Sequence, residues 1–254
     1  MSGPVIIHIP HSSASIPECE KEKLALSGEG LRRELLRMTD WYTDELFDLG
    51  GGAVERVLFP VSRMVCDPER FLDDAEEPMS ARGMGAIYTR TADGLPLRAA
   101  VSAAERQRLL ERYYVPHHEI LEQLVRKALD ASGHALIIDG HSFPSSPRPC
   151  DLDQAPLRPD ICIGTDRSHT PEWLQRTALG AFSDLGWRVE LNRPYAGSMV
   201  PSTFYQKDAR VHSIMVEVNR SLYMNEDTGE RSADFGEVRR KVRSALEAIT
   251  AAVC

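Results

Sequence analysis

Two histidines directly follow apolar segments of the sequence that are typical of buried strands. His11 comes just after the segment 4–9, and His141 follows the segment 135–139 with Gly140 between. Neutral imidazole is the commonest metal ligand in proteins, and two such side chains at the ends of neighbouring strands would converge on one ion. Each histidine taken alone is a weak signal, because a single histidine in a loop is more often an ordinary hydrogen-bonded or surface residue.

Two aspartates are candidates for supporting these histidines. Asp40 interrupts the amphipathic helical pattern of residues 28–50, and a carboxylate joining two histidines would make a zinc site with an open position. The alternative is that Thr39 or Asp40 is the N-cap of a further helical segment. Asp139 would orient a histidine ligand by accepting a hydrogen bond from its second ring nitrogen. The alternative is that Asp139 is an ordinary hydrogen-bonded residue.

Glu217 lies in the middle of an apolar strand, Ser213-Ile-Met-Val-Glu-Val-Asn219. A carboxylate there is costly unless it is paired or functional. Beside a metal ion it would be the general base that takes a proton from water. The alternation of Ile214, Val216 and Val218 around it leaves open that Glu217 merely faces solvent.

Three arginines lie near predicted strand ends, namely Arg63, Arg70 and Arg193. Guanidinium groups bind carboxylates through two parallel hydrogen bonds, which suits an acidic substrate. The alternative is that they are structural ion pairs, with Asp67 or Glu69 as partners. His8 and the adjacent pair His117 and His118 receive no chemical role from the sequence pattern.

Alternating strand and helix patterns position these residues. They predict an α/β fold with a mixed, mostly parallel central sheet flanked by helices. Sites in such sheets form beyond the carboxyl ends of the strands. Residues 73–100 are predicted to be a long loop, and a capping box at Ser102 begins a helix that runs to about Ser132 with a kink at Pro116.

Composition limits the class of protein. The chain has 254 residues, of which 42% are hydrophobic and 27% charged, and a net charge of −8. This acidic balance argues against a general nucleic-acid binder. Five scattered cysteines without a C-x-x-C motif indicate reduced thiols and a cytoplasmic location. No apolar run reaches the length of a membrane span. We expect a single domain over residues 1–254.

Taken in order, seven short segments resemble the N-formylglutamate amidohydrolase family. No single segment is specific to this family, but the occurrence of all seven in this order over residues 5 to 226 is specific. The segments are Ile9-Pro-His-Ser-Ser13 with Ile16-Pro17, Thr39-Asp-Trp-Tyr42, Ser62-Arg-Met-Val-Cys-Asp67 with Arg70, Tyr114-Val-Pro-His117, Asp139-Gly-His-Ser142, Asn192-Arg-Pro-Tyr-Ala-Gly197, and Val216-Glu217 with Tyr223-Met224.

The resemblance implies a fold like that of the zinc carboxypeptidases and hydrolysis of N-formyl-L-glutamate, or a related N-acyl amino acid, to formate and glutamate. It implies Zn²⁺, or another divalent metal, as cofactor. In the positions that match, His11, Asp40 and His141 are implied as metal ligands, with Glu18 as another possible third ligand. Glu217 and Arg63 are implied as catalytic residues. The residues implied to bind a small anionic substrate are Arg63, Arg70, Arg193 and Tyr195.

Two other functions stay open at this point. One is a zinc amidase or carboxypeptidase-like hydrolase of another acyl-amino acid or peptide. The other is a non-catalytic relative that binds a metal or a ligand. The presence of Glu217 beside two histidines argues against the second, because binding alone does not need a general base.

Overall fold

The computed structural model describes residues 5–50 and 54–253, and its centre is one six-stranded sheet. The strand order is β2-β1-β3-β6-β4-β5. The first four strands in this order run parallel, β4 is antiparallel to β6, and β5 is parallel to β4. The predicted mixed, mostly parallel sheet is therefore confirmed. The strands are β1 (Val5–Ile9), β2 (Val54–Leu58), β3 (Ala135–Phe143), β4 (Ile161–Gly164), β5 (Val189–Leu191) and β6 (Val211–Asn219).

Helices cover both faces of the sheet. They are α1 (Glu18–Lys21), α2 (Gly28–Met38), α3 (Thr43–Leu46), α4 (Ala103–Leu109), α5 (Val115–Ser132), α6 (Glu172–Ser183) and α7 (Phe235–Ala251). Side chains from α3, α6 and α7 pack on one face, and side chains from α5 pack on the other. Because both faces are covered, the central strands are almost continuously apolar, as in other parallel sheets.

Several element boundaries differ from the sequence-based predictions. The strand predicted to begin at Pro4 is described only from Val5, because Pro4 lies outside the described residues. β2 ends at Leu58, and residues 73–100, predicted to be a long loop, contain one short 3₁₀ helix, Pro78–Arg82. The predicted helix 28–50 is split, since α2 ends at Met38 and α3 begins at Thr43.

The helix predicted from Ser102 is confirmed, with an unexpected distortion. A π-helical segment, Leu110–Tyr114, joins α4 to α5 just before Pro116. Proline cannot donate a backbone hydrogen bond inside a helix, and a π-bulge is one established way for a helix to absorb such a disruption. The π-helical segment therefore lies in the turn just before Pro116.

One face of the sheet changes from apolar to polar along the strands. On the α5 side, Ile6 and Ile137 belong to the core. Two residues further along the same strands lie His8 and Asp139, which are paired in register across β1 and β3. His141 is likewise in register with Glu217 of β6. Registered residues and every second residue of a strand point to the same face, so a row of polar side chains crosses the carboxyl ends of β1, β3 and β6.

Two further observations concern the predictions made from composition. Cys66 and Cys162 are fully buried, and burial raises the thiol pKa of both, to about 12 for Cys162. A buried thiol with a raised pKa is unreactive, so both cysteines act as core residues. Among the described helices, none is both long and apolar enough to cross a bilayer.

Candidate active site

His11, His141 and Asp40 meet at the carboxyl edge of the sheet, and all three are buried. The Nδ1 atoms of the two histidines are 3.3 Å apart. Oδ2 of Asp40 is 3.2 Å from Nδ1 of His141 and 3.7 Å from Nδ1 of His11. Ligand atoms about 2.0–2.2 Å from a tetrahedral zinc ion are separated by roughly 3.3 Å, so this triangle has the size of a zinc site.

Local structure explains how each of the three side chains reaches this point. His11 follows β1, whereas His141 lies inside β3, which is longer than predicted and continues to Phe143. Gly140 permits close packing beneath it, because a Cβ there would lie 2.8 Å from the ring of Phe47. The backbone N–H of Asp40 donates to the carbonyl of His11, which fixes Asp40 beside the end of β1.

The capping alternative for Asp40 is wrong. The N-cap of α3 is Tyr42, in the left-handed region with φ of 64°, and no side chain caps that helix. The Asp40 carboxylate instead turns toward the histidines, and its Oδ1 accepts a 2.7 Å hydrogen bond from buried Arg220. Burial opposes ionisation of Asp40, but His11, His141 and Arg220 outweigh it and hold its pKa well below its usual range.

The outer nitrogen of each histidine faces a second carboxylate. Nε2 of His11 is 2.9 Å from Oδ1 of Asp67, and Nε2 of His141 is 3.1 Å from Oδ1 of Asp139. A carboxylate can only accept, so we assign the Nε2 hydrogens to these contacts. In the neutral rings this leaves both Nδ1 lone pairs facing the centre of the triangle, which is the usual arrangement behind metal-binding histidines.

Sequence reasoning missed a chain of histidines behind Asp139. His8, fully buried, has its Nδ1 2.8 Å from Oδ1 of Asp139 and its Nε2 2.8 Å from Nε2 of His117. Burial, followed by His8 and His118, lowers the pKa of His117 to about 2, so His117 is neutral. We assign an Nδ1–H of His8 donating to Asp139, because an ionised carboxylate can only accept. The sequence signal that could have revealed this chain is that His8 and Asp139 are polar residues within apolar strands. Each lies two positions after a core residue of its strand, Ile6 or Ile137.

Glu69 is a second residue that the sequence did not single out as a ligand. Its carboxylate is 3.1 Å from Nε2 of His141 and 3.7 Å from Nδ1 of His11. Among the described residues, His11, Glu69 and His141 form one group whose ligand atoms all lie within 4.8 Å, and His8, Glu69 and Asp139 form another. Glu69 thus shares Nε2 of His141 with Asp139, and it is an alternative third ligand for a metal bound through that nitrogen rather than through Nδ1. Glu18 is exposed in α1, and its carboxylate pairs with Lys21.

Glu217 is buried beside His141, so its predicted alternative orientation toward solvent is wrong. Its Oε2 is inaccessible to solvent and has no hydrogen-bond partner. Burial, with Asp40 and Glu69, outweighs His141 and Arg220 and raises the pKa of Glu217 to about 7. A carboxyl group with this pKa exchanges a proton readily near neutral pH, as a general base must.

The predicted substrate residues occupy different surroundings. Arg63 donates to Asp67 at 2.8 Å and also contacts Tyr88, and Arg70 lies 3.5 Å from the same Asp67 carboxylate. Both are therefore beside His11. Tyr195 is half-buried near Glu217, whose charge contributes to raising the pKa of the phenol.

Arg193 points elsewhere. Its guanidinium is 38% exposed and already pairs with Glu190 and Asp153. The contacts described for Arg193 include none to the histidines or Glu217, and its substrate role stays a prediction.

Comparison with known proteins adds an independent observation. The sequence profile of a family described as N-formylglutamate amidohydrolase matches residues 3–224. The chain belongs to this family. No curated protein matches the chain in sequence.

Two solved structures resemble the fold. The crystal structure of N-formylglutamate amidohydrolase from Ralstonia eutropha JMP134 has 24% sequence identity and a TM-score of 0.80, with 99% of this chain and 93% of that chain covered. The gene product Atu2144 from Agrobacterium tumefaciens has 21% identity and a TM-score of 0.64, with 97% and 92% covered. At this level of identity the two structures support the α/β fold.

Proposed function

We propose that the protein is a metal-dependent amidohydrolase that cleaves N-formyl-L-glutamate, or a closely related N-acyl amino acid, to the free acid and the amino acid. The observation that carries this proposal is the unpartnered, buried carboxylate of Glu217 beside a zinc-sized triangle of His11, His141 and Asp40. The family membership supports the same reaction class.

The donor set fits a divalent metal. Two imidazole nitrogens and one carboxylate suit zinc, and they also accept other first-row metals. We propose His11, His141 and Asp40 as the ligands, because both histidines turn their inner nitrogens toward Asp40 while Asp67 and Asp139 hold their outer nitrogens. When bound, Zn²⁺ supplies Lewis-acid polarisation of the substrate carbonyl and lowers the pKa of water.

Glu217 carries the proton through the reaction. As a carboxylate it takes a proton from the water that attacks the formyl carbon. The C–N bond then breaks, and the same proton goes to the departing amine, so formate and glutamate are the products. Arg63 lies beside His11 and Asp67, where it stabilises the negative charge that develops on the carbonyl oxygen.

The test is release of glutamate and formate from N-formyl-L-glutamate by the purified protein, before and after removal of metal with a chelator and again after addition of Zn²⁺. Release that stops on chelation and returns with Zn²⁺ supports both parts of the proposal. Release that resists chelation while the protein is shown to hold no metal contradicts the metal dependence. Turnover of other N-acyl amino acids alone would shift the substrate, and binding without any turnover would indicate a non-catalytic relative.

A further inference from the structure

Arg148 is half-buried, its Nη2 donor is inaccessible to solvent, and the structure gives its guanidinium no carboxylate partner. This Nη2 makes no hydrogen bond, and Nη1 contacts only the sulfur of Met38, at 3.4 Å. The other arginines around the site differ, since Arg63 pairs with Asp67 and Arg220 pairs with Asp40. A charged group whose buried donor lacks a partner is costly, so a fold that keeps one is expected to receive an anion there.

The backbone around Arg148 is firmly held. Arg148 stands between Pro147 and Pro149, and its own N–H donates to Oδ2 of Asp151 at 2.8 Å. Asp151 is fixed in turn by a 2.7 Å ion pair with buried Arg158. Arg82 also donates to the carbonyls of residues 149, 150 and 151. The guanidinium is therefore presented from a constrained segment, which reduces the entropy lost when it binds a ligand.

The position of Arg148 connects it to the candidate active site. It lines a pocket of about 360 Å³ whose other charged residues are three arginines and two carboxylates, namely Arg33, Arg37, Arg220, Glu226 and Asp227. Arg220, which lines the pocket, also donates to the proposed ligand Asp40. Its side chain therefore lies between the pocket and the proposed metal ligands.

We propose that Arg148 binds a carboxylate of the substrate and thereby makes the enzyme selective for acidic N-acyl amino acids. This inference rests on the proposed function. The other candidates for this role are less available. Arg63 and Arg70 share the carboxylate of Asp67, and Arg70 also lies 3.8 Å from Glu77, while two carboxylates neutralise Arg193. Nη2 of Arg148 has no hydrogen-bond partner and Nη1 contacts only the weak acceptor sulfur of Met38, and a planar guanidinium matches a carboxylate in geometry.

The experiment compares three substrates: N-formyl-L-glutamate, N-formyl-L-glutamine and the α-amide of N-formyl-L-glutamate. Each amide removes the charge of one carboxylate at almost constant shape. We measure kcat and KM for the wild type, R148Q and R148K, with R176Q as a matched control because Arg176 lies on the exposed side of α6 with an exposed partner, Glu172.

For R148Q we expect KM for N-formyl-L-glutamate to rise about 10- to 100-fold, the worth of a charge-assisted hydrogen bond, with little change in kcat. The wild-type preference for the acid over one of the two amides should disappear in R148Q, and R148K should retain part of it. The amide whose discrimination is lost identifies the carboxylate that Arg148 binds. R176Q should match the wild type.

Discrimination against both amides that is unchanged in R148Q and R148K overturns the proposal. A fall in kcat that is equal for all three substrates also overturns it, because that pattern indicates a structural role. If R148Q fails to fold, the same comparison of KM between the acid and the two amides in R148K decides the question. Absence of wild-type turnover on every N-formyl substrate would instead contradict the proposed function, so the two failures are distinguishable.

Discussion

Substitution of Glu217 by glutamine should lower activity and raise stability at the same time. The carboxyl pKa is raised to about 7 in the folded protein, against 4.5 for an unperturbed glutamate. A raised acid pKa means that the folded state is favoured while the group is protonated. This stability is fully present below about pH 4.5 and is lost as the pH rises through about 7.

The magnitude follows from the two pKa values. At 1.36 kcal/mol per unit, ionised Glu217 costs the folded protein about 3 kcal/mol at pH 8 and about 1 kcal/mol at pH 5. E217Q removes the ionisable group, so its stability relative to the wild type should increase by about 2 kcal/mol between pH 5 and pH 8. The glutamine amide has its own cost of burial, but that cost does not depend on pH.

The assay is urea unfolding of metal-free wild type and E217Q at the two pH values. E172Q is the control, because the Glu172 side chain is 79% exposed, and it should stay within about 0.5 kcal/mol of the wild type at both. In parallel, E217Q should lose about 10²- to 10⁴-fold in kcat. Equal stability differences at pH 5 and pH 8 would refute the argument from burial. Turnover above a tenth of the wild-type rate would refute the role of general base.

Three further predictions concern the metal site and its supports. The acidic limb of kcat/KM should have its midpoint at or below about pH 7, because Glu217 must be ionised and a bound cation lowers its pKa further; a midpoint well above 7 in a pH–rate profile would contradict this. Replacing His11 by alanine should abolish stoichiometric zinc binding, as measured by elemental analysis after dialysis, while H134A, which alters a residue remote from the site, should keep it. H8Q should weaken zinc affinity about 10- to 100-fold in a competitive chelator titration, and an affinity equal to that of the wild type would show that the contact between His8 and Asp139 does not orient His141.

The sequence predicted the parts of the site that follow from strand position. His11 and Glu217 belong to strongly apolar segments, where a polar residue needs a reason, and the sheet brings both to one edge. The same logic placed His141, although its strand is longer than expected. The pattern around Glu217 left its orientation open, because alternation cannot show whether a helix covers the second face of a strand.

Other parts of the site depend on contacts between distant segments that no local pattern reveals. The role of Glu69 requires knowing that the loop after β2 folds back over His141, and the role of Arg148 requires the path of a proline-rich segment without regular structure. Arg220 reaches Asp40 across 180 positions of the chain. Arg193 is the opposite case. Its sequence context predicts that it binds a substrate carboxylate, but its guanidinium already pairs with nearby Glu190.

The π-helical segment Leu110–Tyr114 ties the length of one helix to the geometry of the histidine chain. Each residue of an α-helix advances about 100° around the axis, so removing one residue from this segment to restore a regular helix would turn α5 by that angle. His117 would then leave His8, and the apolar face of α5 would leave the sheet. The extra residue therefore sets the phase between α4, which carries buried Leu109, and α5, which carries both His117 and the residues that cover the sheet. It makes this short stretch intolerant of insertions and deletions, although it touches neither substrate nor metal ligand.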